Sequence, residues 1–296
     1  MIILLGASGY VGRAIAGALR DANVPFAGHG RSTVDLANTD AIEAMLKETE
    51  ADFVINCAGF TGKPNVDVCE VRKTESLDGN AVLPGRIRQA CERVGIPFGH
   101  VSSGCIFTGS RPDGSGFNEQ DPPNFSFRTN NCSFYSGTKA LGEELLADCD
   151  SCYVWRLRIP FNQVDSPRNY LTKLMSYPRL LQATNSLTQL DEFARVCVQS
   201  WQNRIPFGTY NVVNSGSITT QQVTELIRDH LAPERTFDFF DSTEEFMQLA
   251  AVAPRSNCIL DNSKLLATGI EMSTVEDAIV GALTNWQPQQ SVAAQV

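Results

Sequence analysis

Met1-Ile-Ile-Leu-Leu-Gly6-Ala-Ser-Gly9-Tyr-Val-Gly12 is the stretch that decides how this chain folds. An apolar run leads straight into a glycine loop, and an apolar-periodic stretch follows over 10–22. Strand, tight loop and helix in that order are the setting in which a glycine-rich loop binds a dinucleotide. Glycines let the backbone approach a pyrophosphate, and the helix N-terminus adds N–H groups and the positive end of a dipole. Gly6, Ser8, Gly9, Tyr10, Val11 and Gly12 are the first candidate cofactor residues. The Gly-x-x-Gly-x-x-Gly spacing is one step from the dehydrogenase form, and a plain glycine-rich turn is the alternative. The start has no basic leader and no cleavage site, so it reads as a buried strand rather than a signal peptide.

Working outward, strand and helix patterns alternate through the first half. Such alternation makes a parallel sheet with crossover helices. Strands are expected at 1–5, 25–29, 51–56, 96–102 and 153–158, with helices near 40–48 (capped by Thr39), 76–94 and 135–148. Beyond 160 the pattern loosens, with strand pieces near 180–184, 208–213 and 235–240 and helices near 190–204, 219–232 and 274–286. The fold class that follows is α/β: a Rossmann-like doubly wound parallel sheet over 1–160, rejoined by 208–213. A smaller substrate lobe is expected over 161–286, and a frayed tail over 287–296.

The bulk numbers agree with a globular chain. Its 296 residues are 43 % hydrophobic and 19 % charged, with a formal net charge of −9. That charge argues against nucleic-acid binding, which needs a basic face. No run of about 18 apolar residues exists, so no membrane span is expected. The nine cysteines are odd in number and lack framework spacing, which suggests reduced thiols and a cytoplasmic location. Cys149-Asp-Ser-Cys152 has redox-motif spacing but sits between a helix and a strand without thioredoxin-like context. No Cys/His cluster has zinc spacing, so no metal is expected.

Further candidates lie at strand ends, where open α/β sheets place their chemistry. After strand two comes Gly28-His-Gly-Arg31-Ser-Thr33, with no acid until Asp35. An acid there holds a ribose 2′-OH, whereas an arginine accommodates a 2′-phosphate. Arg31 therefore points to NADPH, with NADH as the alternative, and Asp35 is placed near the adenine. Cys57, Ala58 and Gly59 follow strand three, where small residues let a cofactor lie against the backbone. Lys63 is a weaker pocket candidate. Ser103 ends strand four.

Tyr135-Ser-Gly-Thr-Lys139 opens the next helix. Residues four apart share a helix face. A free phenol has a pKa of about 10, and an ammonium beside it favours the phenolate. A tyrosine tuned in this way can exchange a proton with a reacting oxygen while hydride moves. Alone, the pattern occurs on many surface helices by chance.

Together these pieces resemble an extended short-chain dehydrogenase/reductase over nearly the whole chain. Four segments add a narrower likeness: Asn56-Cys-Ala-Gly-Phe-Thr-Gly-Lys-Pro-Asn-Val-Asp67, Gly104-Cys-Ile-Phe107, Pro167-Arg-Asn-Tyr-Leu-Thr-Lys173 and Val252-Ala-Pro-Arg-Ser-Asn257. They resemble the bifunctional nucleotide-rhamnose synthases, 3,5-epimerase/4-reductases of UDP-4-keto-6-deoxyglucose related to the dTDP-4-dehydrorhamnose reductases. The resemblance implies a nucleotide-sugar substrate (UDP- or dTDP-linked). It implies Ser103 and Tyr135 at the 4-oxygen, Lys139 at the nicotinamide ribose, and Cys105 and Lys173 as the proton-exchanging pair of the epimerase. A buried structural cysteine and a solvated lysine are the bland alternatives for that pair. Thr61, Arg168 and Asn169, in the matching segments, are substrate-binding candidates along with Lys63 and with Asn80, which matches a structural active-site asparagine of the superfamily, and Arg255 is a candidate for the diphosphate or a structural cap. The plant synthases carry a dehydratase in front of this module, so a separate 4,6-dehydratase is the expected partner. A helix-paired homodimer is common in the superfamily. Reduction alone and a non-catalytic NADP-binding subunit are the rival readings.

Overall fold

In the computed structural model, which describes residues 1–63 and 65–288, six parallel strands form one sheet. They are β1 (Ile2–Leu5), β2 (Phe26–His29), β3 (Phe53–Asn56), β4 (Phe98–Ser103), β5 (Cys152–Leu157) and β6 (Gly208–Asn211), in the spatial order β2-β1-β3-β4-β5-β6. Every residue of β1 is buried, because helices cover both faces of a parallel sheet. Side chains alternate between faces along a strand. Ile2 and Leu4 thus pack with Ile15 and Leu19 of α1 (Tyr10–Asp21), and Ile3 and Leu5 with Ile42 and Leu46 of α2 (Thr39–Glu48). Each such buried aliphatic side chain contributes about 1.5–3 kcal/mol. The strand order reverses between β1 and β3, which opens a crevice at their carboxyl ends.

Local chemistry moved several boundaries. Asn38, not Thr39, caps α2, accepting from the Asp40 and Ala41 N–H groups. The helix expected over 76–94 is broken into Lys73–Leu77, a π turn at Asp78–Val82 and α3 (Leu83–Val94). Asn80 lies in that π turn, where its side chain serves groups outside the helix. The Tyr135 helix, α4 (Phe134–Glu144), stops short of 148. Arg88 takes the Leu145 carbonyl at 2.9 Å and the Asp148 carboxylate just beyond it.

A second apolar cluster gathers Phe161, Leu171, Leu174, Ile227, Ile279 and Leu283. It lies among α5 (Tyr170–Ser176), α7 (Thr220–His230) and α8 (Val275–Thr284), while α6 (Leu190–Gln202) packs on α1. Two short strand pairs stiffen this region, Thr184–Asn185 with Ile218–Thr219 and Pro160–Phe161 with Thr188–Gln189. No strand forms at 235–240; Phe239 makes a single bridge to Leu180. Gln287, read as the start of a frayed tail, donates to the Gln163 carbonyl and accepts from Asp165 N–H. The remainder of that tail, from 289, lies outside the described residues. No helix among those residues is long and apolar enough to cross a membrane.

Candidate active site

The glycine loop leaves β1 with Gly6 at φ +78°, a left-handed conformation that only glycine adopts cheaply. A Cβ there would lie 2.7 Å from Ala58 N, and one on Gly12 would lie 2.2 Å from Gly6 O. Helix α1 begins after Gly9 without a side-chain cap, so its first N–H groups remain available as donors. Ser8 and Gly9 are exposed at the mouth of this cradle, whose shape and donors suit a pyrophosphate. Arg13 closes its edge by donating to Ser8 O at 2.6 Å. The phenolic oxygen of Tyr10 is buried without a partner. Burial and the nearby Asp191 push its pKa up. Val11 packs against the core. Gly12→Ala is expected to force the loop open, at a cost of about 1–3 kcal/mol. A Tm lowered by a few degrees together with weakened coenzyme binding, read by thermal shift with and without coenzyme, would show it.

At the end of β2, Arg31 is exposed. Asp35 does not lie free beside it: its Oδ1 accepts the Ala37 N–H at 2.9 Å. Across the crevice, Asn56 is buried and bonds His100 Nδ1 at 3.0 Å and Ala58 N at 3.0 Å. This pins Cys57-Ala58-Gly59 against the glycine loop, with Cys57 N donating to Leu5 O at 2.9 Å. Burial pushes the Cys57 thiol up. Gly59 borders the ammonium of Lys139; a Cβ on it would sit 3.7 Å from Nζ.

Strand β4 and helix α4 bring the chemical groups together. Ser103 ends β4, and its Oγ accepts the Cys105 N–H at 3.2 Å, starting a short 3₁₀ turn over Gly104–Ile106. Ser133 caps α4 by accepting from Ser136 N–H at 3.2 Å, and the helix then presents Tyr135 and Lys139 on one face. Lys139 Nζ donates to Val101 O at 3.2 Å. Tyr135 packs against the cluster that holds Cys105, and the Ser103 hydroxyl favours ionisation of both the Tyr135 phenol and the Cys105 thiol. Cys105 is 6 % exposed. Burial is the larger electrostatic effect here: it pushes Tyr135 and Cys105 up and Lys139 down. The sequence pattern led us to expect Lys139 to lower the tyrosine. Instead, Ser103 and Arg158 are what pull the phenol back toward ionisation.

The remaining candidates divide. Lys173, on α5, is partly buried, and burial with the neighbouring Arg168 pushes its ammonium down. Arg168 reaches over to Thr61 Oγ1 at 3.2 Å and Gly62 O at 2.7 Å, joining α5's approach to the loop after β3. Lys63 is exposed on that loop. Asn169 and Asn80 are not available to a substrate. Asn169 is fully buried, capping α5 and donating to Asn162 O and Val164 O. Asn80 is fully buried too, bonding Phe60 N, Phe60 O and Thr138 Oγ1. Its amide holds the β3 loop to the helix of Tyr135. Arg255 makes a two-armed bridge to Asp67 at 2.6 and 2.7 Å, so its fork is already engaged by a carboxylate.

Three further groups lie near the site. Arg158, one residue past β5, is buried, and its charge favours ionisation of the Cys258, Cys105 and Tyr135 side chains. Glu70 accepts the Phe134 N–H at 2.6 Å, a carboxylate at the positive end of α4. Glu143 lies four residues beyond Lys139 on the same helix face. It pairs with buried Arg156 at 2.6 Å and takes the Ser102 hydroxyl. The continuing four-residue spacing could have marked Glu143. Among the described residues, no group of three or more His, Cys, Asp or Glu could hold a metal ion.

Known proteins resemble this chain along nearly its whole length. The family model described as "RmlD substrate binding domain" matches residues 1–287. A bifunctional dTDP-4-dehydrorhamnose 3,5-epimerase/dTDP-4-dehydrorhamnose reductase of Arabidopsis thaliana is 31 % identical over 94 % of this chain and 90 % of its own length. A trifunctional UDP-glucose 4,6-dehydratase/UDP-4-keto-6-deoxy-D-glucose 3,5-epimerase/UDP-4-keto-L-rhamnose-reductase of the same plant is also 31 % identical, over 94 % of this chain. The chain spans only 41 % of that larger protein. The crystal structure of the UDP-rhamnose synthase of Acanthamoeba polyphaga mimivirus superposes with a TM-score of 0.88 at 26 % identity, covering 96 % of this chain and 98 % of the other. The match along nearly the full length, on a doubly wound sheet with Ser103, Tyr135 and Lys139 at its carboxyl edge, establishes that the chain belongs to the RmlD substrate binding domain family, that of the dTDP- and UDP-4-dehydrorhamnose reductases.

Proposed function

We propose that this chain is an NADPH-dependent 3,5-epimerase and 4-reductase of a nucleotide-linked 4-keto-6-deoxyglucose (UDP or dTDP), yielding nucleotide-linked L-rhamnose. The observation that carries the reading is the meeting of Ser103, Cys105 and Tyr135 in one buried cluster at the carboxyl end of β4. The glycine cradle and the α1 N-terminus would hold the pyrophosphate, Arg31 the 2′-phosphate, and Lys139, which borders Gly59, the nicotinamide ribose. NADPH, when bound, supplies the hydride.

The protein's own groups do the rest. Ser103 and Tyr135 donate hydrogen bonds to the 4-oxygen, and Tyr135, kept protonated by burial, gives it a proton as the ketone is reduced. The same two donors stabilise the enolate when a proton leaves carbon 3 or carbon 5. The 4-keto group makes those protons acidic, and inversion needs a proton taken from one face and returned on the other. Cys105 and Lys173 are assigned that exchange. Lys173 is suited to it because burial and Arg168 push its ammonium down, toward a neutral amine. The 4-keto sugar has to come from a 4,6-dehydratase activity of the kind named in the trifunctional plant relative.

A second reading, reduction alone, has one observation in its favour: burial pushes the Cys105 thiol up, away from the thiolate that abstracts a proton. One experiment separates them. UDP- and dTDP-4-keto-6-deoxyglucose are incubated with the protein and each coenzyme in D₂O, and products are read by NMR. Deuterium at carbons 3 and 5, with faster turnover on NADPH than NADH, is the expected outcome. Reduction without deuterium at those carbons leaves a reductase only.

A further inference from the structure

Glu143 takes no part in the chemistry derived above, yet it is the centre of a buried network. Its side chain is 10 % exposed and that of its partner Arg156 5 %. Arg156 Nε donates to Oε1 at 3.1 Å and to Oε2 at 3.0 Å, and Nη2 donates to Oε2 at 2.6 Å. The Ser102 hydroxyl donates to Oε1 as well. Ser102 and Arg156 are partners in the β4–β5 register, so both side chains leave the same face of the sheet, the one on which Glu143 lies. Taking two charges out of water often costs as much as their attraction returns, so a buried pair is a weak source of stability. Its best-attested use is to fix which parts of a structure meet.

Here it fixes the seat of α4 on β4. Lys139 Nζ donates to Val101 O at 3.2 Å. One helical turn further on, Glu143 takes the hydroxyl of Ser102. The next residue is Ser103, whose Oγ holds the Cys105 N–H at 3.2 Å. Val101, Ser102 and Ser103 are thus, in order, an anchor for Lys139, an anchor for Glu143 and the hydroxyl assigned to the 4-oxygen. Helix α4 cannot slide along β4 or turn about its own axis without pulling a buried carboxylate off its partners. Tyr135, one turn before Lys139, moves with it. Arg156 carries the same tie toward Cys105. Its guanidinium lies 5.2 Å from the centroid of the Phe107 ring, and the Phe107 N–H closes the Gly104–Ile106 turn by donating to Gly104 O at 3.1 Å.

We propose that Glu143 is a positioning residue for the reduction: through the Ser102 hydroxyl and the Arg156 guanidinium it fixes α4 on β4, and so sets Tyr135 and Lys139 against Ser103 and Val101. This rests on the reductase half of the reading above and is independent of the epimerase half.

The test separates position from stability. Reduction of an already epimerised 4-keto-rhamnose nucleotide is followed by NADPH oxidation with both substrates saturating, and Tm is measured on the same samples. Ser102→Ala cuts the tether but leaves the ion pair whole. Small misplacements of reacting groups cost large factors in rate, so it is expected to lower kcat about tenfold or more with little change in Tm. Ser102→Thr, which restores the hydroxyl, is expected to recover most of that loss. Glu143→Gln strands Arg156, whose Nη1 is buried without a partner, and is expected to lower both Tm and kcat; Ser102→Ala decides where that variant fails to fold. Glu144, the next residue on α4, meets Arg128 at 2.8 and 2.6 Å on the exposed side, and Glu144→Gln is expected to run at the wild-type rate. A bond that only stabilises the fold would lower Tm and leave the kcat of folded protein alone. A Ser102→Ala kcat equal to that of the wild type, or a Ser102→Thr variant no faster than Ser102→Ala, overturns the proposal. Wild-type protein that oxidises no NADPH with the sugar overturns the reductase reading itself. Wild-type turnover with an unmoved Ser102→Ala rate overturns the positioning role alone.

Discussion

Tyr135→Phe is expected to lower NADPH-dependent reduction of the 4-keto sugar by about 10²–10⁴-fold, the usual worth of a positioned proton donor. The substitution removes one oxygen and keeps the ring, so packing on α4 is preserved and the fall belongs to kcat rather than to stability. Burial, the charges of Cys105 and Cys69 if they ionise, and the weaker opposing pull of Ser103 and Arg158 place the phenol above its ordinary range. It is therefore protonated throughout the working pH range and fit to act as an acid. Two consequences follow. The wild-type reduction rate should show no loss on the alkaline side until well above neutrality. Ser103→Ala, which leaves the proton donor in place, should cost less than Tyr135→Phe. Steady-state oxidation of NADPH with an already epimerised 4-keto-rhamnose nucleotide measures all three rates. A loss below about tenfold for Tyr135→Phe would mean that solvent, not the phenol, delivers the proton.

The parts of this molecule legible from sequence are those whose physics is local. Gly6 and Gly12 could be read because the turn needs φ +78° at one and an approach within 2.2 Å at the other, which exclude any Cβ. Tyr135 and Lys139 could be read because four-residue spacing fixes a helix face, and β1 because unbroken apolarity marks a strand covered on both sides. The misplacements share one cause. Asn80 and Asn169 were given to the substrate, but buried backbone groups of Phe60, Leu171, Asn162 and Val164 claim both amides. Buried backbone groups need hydrogen-bond partners, and an asparagine beside a site can be drawn inward to supply them. Arg255 is a harder case. Its partner Asp67 lies 188 residues away, and no local pattern predicts a pairing that only the closed tertiary fold creates. Arg158 is invisible for the same reason. It reads as one cation in a mixed strand end, and its buried place comes from Asn185 and Ser256, brought to it by distant elements. The direction of the tyrosine shift also escaped, because a lysine at the right spacing says nothing of how far both groups are removed from water.

Cys105→Ala is expected to reduce solvent deuterium uptake at carbons 3 and 5 by about 10²–10⁴-fold, while reduction of an already epimerised 4-keto-rhamnose nucleotide stays within a fewfold of wild type. The separation follows from the geometry. Removing the sulfur leaves the Cys105 N–H bond to Ser103 Oγ in place, so the 3₁₀ turn keeps its shape and Ser103 its position. Tyr135 loses a neighbour that raises its pKa, which if anything eases proton donation to the 4-oxygen. Hydride chemistry therefore has no reason to fail, whereas inversion loses one of its two proton carriers. Lys173→Met supplies the matching arm: with one carrier gone from each variant, both should reduce and neither should invert. Incubation in D₂O with NMR readout of carbons 3 and 5 measures the loss in each. Unchanged uptake in Cys105→Ala would remove the sulfur from the mechanism and return it to the packing of Ile106, Phe107 and Cys258 around it.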